Sequence, residues 1–232
     1  MNELTKAFKA AFPHTLPVLT GFIFLGIAYG VLMNSRGYGV GWTVLFSLMA
    51  FAGSAQYPAI TFLTSVFNPL SALLLSLMIN ARHLFYGVSM LEKYKSTGKF
   101  KPYLIFGLCD ETFSIISTTN SPEGVNRNWF WFFITLLNHS YWVIGSALGG
   151  LIGYMISFNT KGLDFVLTAL FVAIFVGQWE KKNNRKSATI GVVCSIICLS
   201  IFGQNNFIIP SMIAILAVLT IFQNKLSEEG IR

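Results

Sequence analysis

Four stretches of this chain carry no Asp, Glu, Lys or Arg: Thr15 to Ser35, Gly37 to Ala81, Asn128 to Thr160 and Ser187 to Asn224. A helix needs ~20 apolar residues to cross the hydrocarbon of a bilayer. Each stretch reaches that length, and two are long enough to hold a pair of elements. None shows the dyad alternation of a barrel strand, so helices are expected. Soluble domains are about a quarter charged. This chain is 11% charged and 54% hydrophobic, with a mean hydropathy of +0.63. It lacks the polar groups to cover a soluble fold. The sequence reads as an all-α, polytopic helical membrane protein, with 1–232 forming a single integral membrane domain.

The net charge of +7 does not point to nucleic acid. The basic residues sit in short loops between apolar runs, which is the positive-inside pattern. The partner they imply is the lipid bilayer. Cys109, Cys194 and Cys198 read as small buried hydrophobes. No His or acidic residue stands beside the last two to complete a metal site, so neither metal nor cofactor is expected. There is no Gly-x4-Gly-Lys-Ser/Thr phosphate loop, no His-Glu-x2-His and no Gly-x-Ser-x-Gly, so the common routes to hydrolysis are missing. Lys6 and Lys9 precede the apolar run Leu16 to Met33, which outlasts a signal-peptide core and reads as a first span. Residues 1–14 suit a short amphipathic surface helix.

Apolar elements fall near 16–34, 42–64, 68–91, 103–119, 129–157, 163–179, 187–203 and 206–223, giving six to eight membrane elements. The loops 92–102 (Lys93, Lys95, Lys99, Lys101) and 180–186 (Lys181, Lys182, Arg185, Lys186) are the most basic. With the N-terminus they belong on the cytoplasmic side. Eight full crossings would put loop 92–102 outside, against its charge. A weak internal repeat suggests a way out. Gly21, Gly26, Phe51 and Gly53 recur as Gly145, Gly150, Phe175 and Gly177 at a constant offset of 124. Repeated halves with inverted topology are common in membrane carriers. If 42–64 and 163–179 are broken, re-entrant hairpins, each half (16–119 and 129–223) crosses three times and the halves are inverted. Both termini and both basic loops then lie inside. Gly53, Gln56 and Pro58 are the expected interruptions of the first hairpin.

Charged groups at membrane depth cost at least ~2.5–3.5 kcal/mol each and call for a reason. Asn80, Arg82 and His83 form one such cluster, with Arg82 ten residues before Glu92 and so roughly 15 Å from the helix end. Asp110 and Glu111 form another, roughly 12 Å inward from Pro102 by the same rise. The two elements are expected to run antiparallel across loop 92–102, so Arg82 can pair with Asp110 or Glu111. Ser114 and Ser117 extend the face of Asp110. A third cluster, Phe51 to Pro58, offers small residues and a broken helix whose ends bind polar groups. Gly53, Ser54, Gln56, Tyr57, Asn80 and Arg82 are therefore candidate substrate-binding residues. Asp110, Glu111, His83 and His139 are candidate proton-coupling groups. The plain alternatives are a buried ion pair that fixes helix register and helix packing through small residues, for which Gly26-x3-Gly30 and Gly145-x3-Gly149 are further candidates.

Phe51-Ala-Gly-Ser-Ala-Gln56, Asn80-Ala-Arg-His83 and Asp110-Glu-Thr-Phe113 stand in the order and spacing of a known family. Across nearly its whole length the chain resembles the AzlC-type permeases, the large subunits of bacterial branched-chain amino acid exporters. The resemblance implies a transporter of the bacterial cytoplasmic membrane that exports leucine, isoleucine, valine and analogues. It also implies coupling to a proton or ion gradient and a much smaller hydrophobic membrane partner of AzlD type. A channel or pore subunit for another small solute, or a membrane scaffold that transports nothing, are the alternative readings. An enzyme is not expected.

Overall fold

A computed structural model of the protein describes residues 2–64, 68–80, 82–155, 165–180 and 185–221. Among them all regular structure is helical. The elements are α1 (Glu3–Ser35), α2 (Val40–Ala50), α3 (Gly53–Thr64), α4 (Pro69–Asn80), α5 (Arg82–Tyr94), a 3-10 turn (Gly98–Phe100), α6 (Lys101–Phe106) and α7 (Asp110–Thr118). They continue with α8 (Arg127–Met155), α9 (Phe165–Glu180), α10 (Arg185–Asn206) and α11 (Ile208–Ile221). The chain divides into two compact units, Met1–Val166 and Leu167–Arg232. In the second unit α10 packs on α11. α1 and the Arg185–Gly203 part of α10 are each long and apolar enough to cross a membrane.

The first unit is organised on α1 and α8. Both exceed the length a bilayer needs, at about 50 Å and about 43 Å by the helical rise. Their contacts climb in step. Phe8 meets Phe133 at 5.5 Å between ring centroids, Thr15 Oγ1 lies 3.0 Å from Tyr141 OH, and Phe22 meets Trp142 at 5.6 Å. Further along, Gly149 faces Ile27 and Gly153 faces Val31 and Asn34. The two helices therefore run parallel. Glycines make the approach this close. A β-carbon on Gly26 would lie 2.8 Å from the Ser146 nitrogen, and one on Gly145 would lie 2.9 Å from the Phe22 and Ile23 carbonyl oxygens. Backbone meets backbone, the mode of association that small residues permit between apolar helices.

α2 and α3 fold back on each other. Phe51 caps α2 in the left-handed conformation (φ 38°, ψ 47°), a costly choice for a residue with a β-carbon, and it turns the chain. Tyr38, just before α2, donates its hydroxyl to the Leu63 carbonyl near the end of α3 at 2.6 Å. Both limbs thus begin and end together. The break falls at Phe51-Ala52, while Pro58 lies inside α3. A cap of buried polar groups ties the hairpin to α8. Ser47 Oγ donates to Ser146 Oγ (2.9 Å), and Trp142 Nε1 donates to Gln56 Oε1 (2.9 Å). Gly53 is required here, because a β-carbon would lie 2.8 Å from the Trp142 ring.

The segment 103–119 differs from its expected single crossing. α6 runs alongside α8, with Phe100 on Trp129, Tyr103 on Phe132 and Phe106 on His139. The chain turns at Gly107-Leu108-Cys109, and α7 comes back. Arg82 and Asp110, at the starts of α5 and α7, are paired at 2.9 Å. At the other end Lys93 Nζ donates to the Ile116 and Ser117 carbonyls, each at 2.8 Å. α5 and α7 are therefore parallel, and α6–α7 is a second hairpin. Gly107 allows the turn to press on α8, against Thr135. α6 is a short helix closed at Gly107, and two acids then start a new helix at its positive end.

Two further expectations are corrected. α1 and the matching α8 run parallel, whereas an inverted repeat would set them antiparallel. α9 is one unbroken helix over the described part of 163–179, where a broken hairpin was expected. Its apolar residues up to Val176 include no Gly or Pro to interrupt them.

The glycine seam gives a sharp contrast. Gly26→Leu or Gly145→Leu pushes backbones apart and is expected to lower the stability of purified protein by about 1–3 kcal/mol or more. Gly21→Ala, with nothing within 4 Å of its added carbon, should leave the melting temperature unchanged or raised.

Candidate functional site

The two hairpin turns come together beside the middle of α8. The Phe51 ring lies 4.6 Å from the His139 ring and 6.4 Å from Phe106. Arg82, at the start of α5, joins the turns chemically. One guanidinium nitrogen pairs with Asp110 Oδ2 at 2.9 Å, and the other donates to Ser54 Oγ at 2.7 Å. Ser54 is in the first turn of α3 and Asp110 opens α7. First-turn N–H groups have no partner within their own helix and carry the positive end of its dipole. Two helix N-termini, an arginine and two acids thus share one place in the fold. Such a place has donors and acceptors for a ligand bearing both charges.

The sequence candidates divide between direct and supporting places. Arg82, Asp110 and Ser54 are brought together. Glu111 follows Asp110 in the first turn of α7, and among the described residues no Lys or Arg pairs with it. His83 hydrogen-bonds through Nδ1 to the Asn80 carbonyl at 3.2 Å and lies edge-on to Tyr86. Asn80 thus supplies its backbone oxygen. Gln56 is fully buried, and its amide is occupied: Oε1 accepts from Trp142 and from the Ala52 nitrogen (3.3 Å), and Nε2 donates to Ser47 (3.3 Å). Tyr57 donates to the Leu25 carbonyl at 2.7 Å. Gln56, Tyr57 and Gly53 therefore shape and hold the hairpin. His139 Nδ1 lies 3.1 Å from Tyr103 OH, so this side chain touches both hairpins. Ser114 and Ser117 bond within α7 and do not reach Arg82.

Sequence reasoning missed Thr112, Asn138, Ser47, Trp142 and Ser146. All five are buried polar or amphipathic groups that link the hairpins to α8. A signal existed for Asn138, an amide inside a charge-free run. Ser47 and Ser146 are ordinary residues whose meeting, 99 positions apart, only folding reveals.

The chain belongs to the AzlC protein family, whose profile matches residues 17–156. It is 54% identical to the branched-chain amino acid transport protein AzlC of Bacillus subtilis, over 98% of this chain and 89% of that protein. It is 43% identical to an uncharacterised membrane protein of Haemophilus influenzae, covering 97% of this chain and 93% of the relative. The inner membrane protein YgaZ of Escherichia coli is 26% identical over 85% of this chain and 84% of its own length. No solved structure matches. Together with the long apolar helices, these relatives make this an integral membrane protein.

The ion pair predicts asymmetric mutational costs. Arg82→Leu leaves the half-buried Asp110 without its cation and is expected to lower stability by about 1–3 kcal/mol. The double variant Arg82→Leu/Asp110→Leu should recover part of that loss, which melting of the purified proteins would measure.

Proposed function

We propose that this protein is a secondary transporter that exports branched-chain amino acids across the bacterial cytoplasmic membrane. The observation that carries this reading is Arg82, bridging the first turn of α3 to Asp110 at the first turn of α7. Broken-helix ends meeting near a midplane are how many carriers hold a small polar substrate. The named activity of the B. subtilis relative supports a branched-chain amino acid as that substrate. The carboxylate is taken by Arg82 and the free N–H groups of Gly53 and Ser54. The acidic pair takes the ammonium, and Glu111, which makes no salt bridge among the described residues, carries the coupling proton. Phe51 and Phe106 supply apolar contact for the aliphatic chain. Export is expected to need the small hydrophobic AzlD-type subunit.

The fold also supports a membrane topology. α1 crosses outward, α2–α3 is a hairpin open to the outside, and α4–α5 returns inward. Loop 92–102 is then cytoplasmic, as its lysines require. α6–α7 enters and leaves on that cytoplasmic side, and α8 crosses outward. α9, α10 and α11 cross in turn, with Arg185 and Lys186 at the cytoplasmic start of α10. This arrangement has six crossings and two hairpins. The second hairpin is 101–118, and every basic loop stays cytoplasmic. Single cysteines test it. Lys95→Cys and Glu123→Cys should label only from the cytoplasm and Ser35→Cys only from outside. Glu123→Cys labelled from outside would sink the second hairpin.

Efflux tests the function. Cells preloaded with leucine- and isoleucine-containing dipeptides should release these amino acids faster with this chain and its small partner, and only with an ion gradient. Glu111→Gln at equal membrane abundance should slow export by about tenfold or more, equivalent to removing one strong contact or proton step. Normal export by both Glu111→Gln and Asp110→Asn would refute the site. Flux that never saturates and never runs uphill would favour a channel.

A further inference from the structure

Seven buried polar side-chain atoms among the described residues have no hydrogen-bond partner, and four belong to Arg82, Asp110, Asn138 and His139. Orphans of this kind are uncommon in native structures, and each calls for an explanation. The His139 ring has the Ser47 and Leu48 backbone beside it; that the other three belong to the residues of the two helix starts and the α8 face against them points to a missing polar ligand.

Asn138 is the most informative of them. It lies on α8 and is 0% exposed. Its Nδ2 donates to Thr112 Oγ1 at 3.1 Å, and Thr112 Oγ1 lies 3.2 Å from Cys109 Sγ. The amide is thereby fixed against the first turn of α7, with Oδ1 left free. Packing alone would be served by a leucine at this position. Asp110 presents a second acceptor at the same turn: Oδ2 is taken by Arg82 and Oδ1 has no partner within hydrogen-bond distance, with the Tyr86 hydroxyl close to the carboxylate. A carboxylate oxygen and an amide oxygen at one helix start are both acceptors. A primary ammonium, with three donors, satisfies them together.

We propose that Asn138 is a substrate-contacting residue whose side-chain oxygen, with the free Oδ1 of Asp110, holds the ammonium of the transported amino acid. Arg82 Nε, the unpaired donor of the set, faces the carboxylate. The assignment rests on the amino-acid reading given above and sharpens it: the site selects a primary amine as well as a carboxylate. It also requires the Gly107-Leu108-Cys109 turn to part from α8 when substrate enters, since Asn138 is sealed in this conformation.

The test uses the full chain with its small partner in lipid nanodiscs, and two probes. L-leucine carries the ammonium. 2-Hydroxy-4-methylpentanoate has the same carboxylate and side chain but no ammonium. Wild-type protein should bind leucine at least about tenfold more tightly, the worth of a charge-assisted hydrogen bond. Asn138→Leu should cut leucine affinity by about tenfold and leave hydroxy-acid affinity within about twofold, erasing the preference. Thr112→Val loosens the amide and should give an intermediate preference. If Asn138 only ties α7 to α8, Asn138→Leu weakens both probes equally or neither, and the proposal falls. Asn138→Asp keeps oxygen and volume and serves if the leucine variant does not accumulate: its preference for leucine should rise, and an unchanged preference overturns the assignment. Wild-type protein that binds no leucine overturns the amino-acid reading itself, and this proposal with it.

Discussion

Backbone contact between α1 and α8 is the constraint from which the first unit is built. Two apolar helices gain little by hiding from lipid, since lipid is as apolar as their side chains. They associate through close packing, and here glycines let the main chains touch. The same contact fixes direction. Gly26 beside Gly145 and Gly153 beside Val31 admit only parallel helices, so the segments between them must return the chain to its starting side. Two hairpins, with α4 and α5 between them, achieve that return.

In the proposed topology each hairpin breaks its hydrogen-bond ladder at a depth where water is scarce. Unsatisfied backbone there is costly, and irregular chain is tolerated only when buried in protein or lining a cavity. The first turn meets this demand with side chains: Gln56 accepts from the Ala52 nitrogen and from Trp142, and its own amide reaches Ser47. The second turn rests on Gly107 pressed to Thr135 and on Thr112 held by Asn138. Arg82 then links the two turns through Ser54 and Asp110. The polar residues of the core thus serve two ends. Some close the broken ladders, and the remainder are left with spare donors and acceptors.

Arg82 and Asp110 were expected to pair because each lies a similar distance from loop 92–102. They do pair, although by a different path. The expectation took 103–119 as one helix descending beside 68–91. In the fold α6 descends, the chain turns, and Asp110 sits at the start of the returning α7. Depth was legible because helical rise is fixed whether or not a helix later turns back. Direction was not, because the residues of 107–109 include only one glycine and no proline. Conversely Gly53, Gln56 and Pro58 correctly marked a broken region, but the chain turns at Phe51, whose left-handed backbone no sequence pattern announces. Of the glycines aligned at an offset of 124, Gly26, Gly145 and Gly150 pack closely, whereas Gly21 has nothing within 4 Å. The repeat misled on orientation, since glycines recur wherever backbones approach.

The sequence by itself determined the solvent. Charge-free runs longer than a bilayer, with the lysines kept to the segments between them and to the ends, point to lipid, and Arg82, Asp110 and Glu111 stand out as charges beside apolar runs. Tertiary structure decided which elements turn back, which helices run together, and which polar groups are spent. In the fold Gln56 and Tyr57 spend their hydrogen bonds inside the protein, while Asn138, unremarked beside His139, keeps an oxygen with no partner. The physical reason is that hydropathy is a property of single residues and survives any arrangement. Hydrogen-bond satisfaction belongs to pairs, and the partners here lie as far apart as Ser47 and Ser146.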